Sequence, residues 1–367
     1  MFGVCVPPAL YVASLQRECA AVQPQKAGFE ALLGIFGGSS ADVGTDELTP
    51  VSTGLVGEWL RTLPAADPLA CRIYLKHPRL FTNLVYFVVV DVGFYAIYIL
   101  QRSTWLIDPH WQLIPVCIAC SFYSHPDAAG SSDGHHPRAQ LSLVLLFVWA
   151  ARLFYNYIRR EGWQLGANED WRYAQMRRDH GRLFIVSQFF VVSVAQHGML
   201  VGLTMPLQPA MALDGAPLNV HDVVATLLCL VGLWTSWTAD NQLFAYMARK
   251  DKPLLLETGL WRLSRHPNHF GEQMWWVGLL YFAVAAAGGL GNFLCGGVHV
   301  WAVAFGVGFN HPIDTYATLP LIEERMLRRP ERAERYLMYQ RRTPLVVPFW
   351  PSFGPLAKET VTDAKIE

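Results

Sequence analysis

The chain has 367 residues, 52% of them hydrophobic and only 16% charged, with a mean hydropathy of +0.23. A soluble domain normally carries roughly 25% charge, so the composition excludes an ordinary cytosolic enzyme and points to a membrane protein. The 29 basic and 29 acidic residues cancel, which removes the broad positive field of a nucleic-acid binder.

Residues 1–80 mix Pro, Gly and Ser with short apolar stretches, and the opening MFGVCVPPALYVASLQRECA lacks the basic start and continuous apolar core of a signal peptide. They read as a lumenal or peripheral extension. A membrane-crossing helix needs about 20 mainly apolar residues, and the first such run is 84–100. Residues 111–124 are shorter and carry Pro115, which points to a kinked helix or a re-entrant segment. Runs at 140–158, 183–206, 222–247, 273–288 and 292–310 follow. The expected fold is all-α: a polytopic bundle of about seven transmembrane helices over residues 81–351, then a polar tail at 352–367.

Basic residues stay on the cytoplasmic side of a membrane. Residues 159–182 hold six arginines, 249–265 hold Arg249, Lys250, Lys252, Arg262 and Arg265, and the segment after 324 is again Arg-rich, whereas 207–221 hold no Lys or Arg. This alternation predicts an odd number of spans and a cytosolic C-terminus. Lys76 and Arg79, just ahead of the first span, weigh the other way for the N-terminus.

Polar residues inside spans are costly and each marks a candidate site. Asp91 lies mid-span with Tyr95 and Tyr98 on the same helical face. Such an acid can donate a proton, or simply bond another helix. Asp108 in IDPHW precedes a proline, which predicts a residue held out of helix, so helix capping competes with a chemical role. Trp149, Arg152 and Asn156 share one side of the third span, where Arg152 either snorkels or faces a polar cavity. The next loop, NEDWRYAQMRRDHGR, is densely polar through Asn168, Glu169, Asp170, Arg172 and Tyr173, a pattern that also fits a solvated face.

Asp240 sits near the cytosolic end of the fifth span, ahead of GLWRLSRHPNHFGEQMWW. In that run Arg265 and His266 can meet phosphate oxygens. Asn268 falls near a helix start, where an anion also meets free backbone amides, and Glu272 can accept from a ribose hydroxyl. Interfacial anchoring is the competing explanation. The C-terminal segment adds Glu323, Glu324, Tyr336, Tyr339, Arg341 and Arg342, for which salt-bridge lacing is the alternative.

No GxGxxG stands in the context of a nucleotide fold. The seven cysteines form neither a zinc-like set nor a dense disulfide framework, and the one CxxC, at Cys117 and Cys120, lies in an apolar run unlike a soluble redox motif. The loop with His125, Asp127, Asp133, His135 and His136 lacks the fixed spacing of a metal site, and no metal is expected.

These motifs resemble the steroid 5-alpha-reductase superfamily. SRHPNHFGE with GLWR ahead of it, and the later acid pair followed by Tyr336, Tyr339, Arg342, Thr343 and Pro348, look like its C-terminal domain. DPxW at Asp108–Trp111, WxxRLxxN ending at Asn156, and EDWRY at Glu169–Tyr173 resemble one multi-span branch of it. The likeness covers residues 84–351. It implies an endomembrane protein, of the endoplasmic reticulum or a related compartment, with a cytosol-facing NADPH pocket. The reaction implied is hydride transfer to an activated carbon–carbon double bond of a steroid, sterol or other lipid.

By position the resemblance implies cofactor contacts from Asp240, Arg265, His266, Asn268, Glu272, Glu324 and Tyr339, with Asn168, Asp170, Arg172 and Tyr173, and Arg152 and Asn156 join that set. Position 269 is His where the family has Tyr. The family's proton donor has no matching motif, so Asp91, Tyr95 and Asp108 are candidates from the residues alone. Isoprenylcysteine and phospholipid methyltransferases, which bind S-adenosylmethionine with a related RHP turn, are the rival reading. A non-catalytic scaffold or lipid-binding protein is the third.

Overall fold

A computed structural model describes residues 8–13, 15 and 19, and then 68–124, 137–166, 168–212, 217–296 and 298–349. The regular elements among these are all helical. The chain forms two compact units, one of residues Met1–Val223 and Leu279–Gly306, the other of Val224–Gly278 and Val307–Glu367. Most of the 1–80 extension, the His-rich loop at 125–136 and the tail at 352–367 lie outside the described residues.

The first unit begins with α1 (Pro68–Lys76) and α2 (Pro78–Gln101). Proline opens α2 where its missing N–H has no intrahelical use, and Arg102, in the left-handed conformation at φ 56°, closes it by donating its N–H to the Tyr98 carbonyl. The helix buries Tyr86, Val90, Phe94 and Tyr98 on its inner face, yet its outer face is apolar too. Leu84, Val88, Val92 and Leu100 are exposed along one stripe while Thr82 and Asp91 are buried, the arrangement expected where the surroundings are hydrocarbon. Next come α3 (Ile107–Tyr123), α4 (Pro137–Arg160) and α5 (Trp171–His180). A turn at Phe184–Ser187 and a π-helix at Gln188–Val194 then lead into α6 (Ala195–Thr204) and α7 (Leu207–Ala212).

Arg138 at the start of α4 reaches the first turn of α8 (Val220–Ala248) through a two-pronged ion pair, Nε to Asp222 Oδ1 at 2.6 Å and Nη2 to Oδ2 at 2.9 Å. Both groups are buried, and the Asn219 N–H fills a further Asp222 lone pair. The pair therefore meets the condition under which buried charges persist. In the same unit a Cβ on Gly306 would run into the Gly202 backbone, so glycine on both sides is what permits this close helix crossing. A disulfide joins Cys19 to Cys71.

In the second unit α8 meets α9 (Pro267–Ala286) backbone to backbone. A Cβ on Gly232 would lie 2.6 Å from the Gly271 carbonyl oxygen. A 3₁₀ turn at Gly259–Arg262 precedes α9, and beyond it the N–H groups of Arg265 and His266 donate to the carbonyls of Pro344 and Leu345 at 2.9 and 3.1 Å. This fixes two candidate side chains against the end of the chain. A π-helix at Asp314–Thr318 follows the helix Val298–Ile313, and α10 (Leu319–Leu327) and α11 (Pro330–Arg342) complete the unit.

Among the described residues, four helices are long and apolar enough to cross a membrane: Leu80–Gln101, Pro137–Arg160, the continuous run Trp171–Met211, and Val220–Ala248. The other three expected runs fall mainly in helices of 17 residues (Ile107–Tyr123), 20 residues (Pro267–Ala286) and 16 residues (Val298–Ile313), the last preceded by the short helix Leu290–Cys295. The run at 111–124 belongs to a helix of 17 residues that passes through Pro115, about 26 Å long at 1.5 Å per residue. One expectation is corrected. Asp108 is not held outside the helix, which starts at Ile107 with Leu106, not Asp108, at the N-cap position. Proline in a first turn gives up no intrahelical hydrogen bond, so the helix begins ahead of Pro109.

Candidate functional site

In the first unit the EDWRY loop folds back on itself. Asp170 caps α5 by accepting the Arg172 N–H at 2.8 Å, and also takes the Arg172 guanidinium at 3.0 and 2.8 Å. Glu169 accepts from the Thr104 N–H and hydroxyl at 2.7 and 2.6 Å and pairs with Arg177, tying the turn after α2 to this loop. Asn168 is fixed by Glu161, which accepts its N–H and side-chain amide, both at 2.9 Å. Tyr173 is buried, its hydroxyl accepting from Gln196 at 3.1 Å. Glu161, buried directly after Arg159 and Arg160, was not foreseen, and only its position at the end of an apolar run signals it.

Asp108 lies 3.7 Å from the Arg160 guanidinium. Its carboxyl is nevertheless pushed up from 3.8 to about 6, by burial first and then by the charge of Asp170, against the pull of Arg160 and Arg172. Asp170 goes the other way. Burial raises it, but the hydrogen bonds and charge of Arg172 hold it below the usual carboxylate range. Two neighbouring acids thus titrate over separate pH ranges, the pattern from which acid and base roles are read.

Arg152 is buried on α4, so it faces inward rather than snorkelling, and Asn156 is half-buried one turn later. Asp91 is 2% exposed, with its Oδ1 3.4 Å from Nδ1 of His197, itself 1% exposed. Tyr95 is half-buried and packs against Tyr98 and Phe189 rather than bonding Asp91. His197 was missed, although the same rule that marks Asp91 as a polar residue in a span applies to it.

The second unit gathers its polar groups on Glu323. His266 Nε2 and Arg265 Nε lie 3.0 and 3.1 Å from Glu323 Oε1, the Tyr336 hydroxyl donates to the same oxygen at 2.8 Å, and Gln340 donates to Oε2 at 2.7 Å. Burial raises the Glu323 carboxyl, but these donors outweigh it and hold the group below its ordinary value. His266 is pushed down by burial, with Glu323 opposing. Of the expected cofactor residues this cluster includes Arg265 and His266. Glu324 is instead exposed and paired with Arg328 one turn on at 2.8 Å, and Tyr339 donates its hydroxyl to the Trp261 carbonyl.

Asn268, Asp240 and Glu272 are half-buried in the same unit. His269, in the place of the expected Tyr, lies 3.0 Å from both oxygens of Asp314, which Gln273 also holds at 3.0 Å. Asp314 was not foreseen. Among the described residues no group of His, Cys, Asp and Glu is arranged to hold a metal.

Residues 94–343 match the family described as Protein of unknown function (DUF1295). The chain belongs to this family. A DUF1295 match of that extent takes in the EDWRY cluster, the Glu323 cluster and His197, and begins just after Asp91. The protein is also similar to the uncharacterized protein C594.04c of Schizosaccharomyces pombe, at 25% identity over 258 residues, 64% of this chain and 72% of that one. No solved structure matches the chain.

Proposed function

We propose that this DUF1295 protein is a membrane oxidoreductase that uses NADPH to reduce an activated carbon–carbon double bond of a steroid, sterol or other lipid. The observation that carries the reading is a pair of unmet groups in the second unit: Arg265 Nη2 and Asn268 Oδ1 are buried without a hydrogen-bond partner among the described residues. A guanidinium N–H suits a phosphate oxygen, and an amide oxygen suits a ribose hydroxyl or a carboxamide N–H. The residues present therefore fit a dinucleotide. The resemblance of SRHPN and EDWRY to the steroid 5-alpha-reductase superfamily supports the same cofactor.

Such a cofactor supplies a hydride. The chain's own residues bind it, exclude water and deliver the proton that completes addition of hydrogen across the double bond. Arg265 holds phosphate, and Glu323 holds Arg265 and His266 in position, in the manner of a preorganised polar site. In the first unit, taken by itself, Asp108 titrates at about 6, so it keeps a fraction of its proton near neutral pH and regains it from water.

The Cys19–Cys71 disulfide suits an oxidising compartment, and the Arg-rich segments suit the cytosolic side. Together they support a seven-span protein of the endoplasmic reticulum, with the disulfide in the lumen and the C-terminus in the cytosol.

Titrating the purified chain with NADPH and with S-adenosylmethionine tests the reading. Saturable NADPH binding, weakened about tenfold or more by Arg265→Ala and less by Asn268→Ala, is expected from the loss of a charged and a neutral hydrogen bond. Binding of S-adenosylmethionine alone would transfer the assignment to a methyltransferase, and binding of neither to a scaffold.

A further inference from the structure

The pair Asp91 and His197 in the first unit has no part in the cofactor cluster, and its state is chemically unfinished. Both side chains are almost fully buried. Their nearest polar atoms stand 3.4 Å apart, yet neither Asp91 oxygen and neither His197 nitrogen has a hydrogen-bond partner among the described residues. Four unmet polar atoms in a hydrocarbon-facing unit are costly, and a bilayer offers little water to relieve them.

The surroundings are aromatic. Phe87 stacks on the His197 ring with centroids 5.6 Å apart, and Tyr95 and Phe189 pack edge-on in the same unit. The π-helix Gln188–Val194 ends just ahead of α6, which carries His197; such bulges recur at functional sites. Gly198, next to His197, is exposed, and a side chain there would meet nothing within 4 Å, so the helix leaves free space one residue from the buried pair.

We propose that Asp91 and His197 form a subsite for a single hydroxyl group on an otherwise hydrocarbon ligand. A hydroxyl is both donor and acceptor. Its O–H donates to an Asp91 oxygen and its lone pair accepts from a His197 N–H. A ketone, which only accepts, leaves Asp91 unmet, and a hydrocarbon leaves both. The inference rests on the lipid-reductase reading only for the site's use in catalysis, because binding itself needs no cofactor.

The test uses the full chain in lipid nanodiscs, with photolabelling by a photoreactive cholesterol and competition by cholesterol, by cholest-4-en-3-one and by 5-cholestene, which has no hydroxyl. Cholesterol is expected to compete about tenfold or more better than 5-cholestene, with the ketone between them, from the hydrogen bonds each can make. Asp91→Leu and His197→Leu are expected to erase the preference, whereas Asp91→Asn and His197→Gln, which keep an acceptor and a donor, retain part of it. Equal competition by all three, absence of labelling, or a preference untouched by the leucine variants overturns the proposal. NADPH titration of the same samples separates the two readings. Intact NADPH binding without hydroxyl preference sinks the subsite alone, and hydroxyl preference without NADPH binding sinks the reductase alone.

Discussion

Glu323 in the second unit and Asp108 in the first are both acids drawn largely out of water, and their surroundings drive them in opposite directions. Glu323 collects Arg265, His266, Tyr336 and Gln340, and these donors hold it ionised against the effect of burial. Asp108 meets one arginine at 3.7 Å and shares its neighbourhood with Asp170, so burial and a like charge prevail and its carboxyl titrates at about 6. Burial alone does not decide what an acid does; the donors delivered to it do. A satisfied carboxylate organises a binding site, and an under-satisfied one keeps a proton to give.

The largest effect expected from this contrast is at Glu323. Removing one partner of a buried ion pair leaves the other charge uncompensated and costs roughly 3–5 kcal/mol. Glu323→Ala should therefore lower the unfolding midpoint sharply or abolish folding in detergent. Glu323→Gln, which keeps an acceptor for Tyr336 and His266, should fold and show the cofactor defect by itself. Equal stability of Glu323→Ala and the parent chain would break the claim that this cluster is a scaffold.

The two regions should also respond to pH with opposite sign. Glu323 is depressed below its ordinary 4.5 and His266 below its ordinary 6.5, so in both cases the unfolded chain takes up protons first. Protection of α10 and α11 should then fall as pH drops below about 6.5, with the histidine acting first and the carboxylate adding to the loss below 4.5. Asp108 is raised from 3.8 to about 6, so the folded state takes its proton first and protection at the start of α3 should fall as pH rises between those values. Hydrogen exchange resolved by segment reads both trends. Asp108→Asn should flatten the second and raise local stability at pH 7, by on the order of 2 kcal/mol.

The helical class, the long spans and the polar segments were legible because period and composition act over many residues at once. The pairing of Arg265 with His266 was legible because the two are adjacent and the proline after them fixes the turn. What the sequence concealed depends on azimuth around a helix and on partners far along the chain. Asp108 looked like a cap because the rule for residues before proline is local, while the start of α3 is not. The Arg138–Asp222 tie, the approach of His197 to Asp91 and the Asp314 carboxyl beside His269 each join residues at least 45 apart, with no motif linking them.

The adjacent acids Glu323 and Glu324 show that limit within a single dipeptide, and they supply the smallest expected effect. Successive residues on a helix point about 100° apart. One carboxylate therefore enters the cluster of Arg265 and His266, while the other stays exposed and pairs with Arg328. An exposed pair of this spacing contributes about 0.3–0.5 kcal/mol, so Glu324→Ala should leave the unfolding midpoint and NADPH affinity nearly unchanged beside the collapse expected of Glu323→Ala. A cofactor defect in Glu324→Ala comparable to that of Arg265→Ala would mean that the surface acid, not the buried one, faces the nucleotide, and the assignment of roles between the two would have to be exchanged.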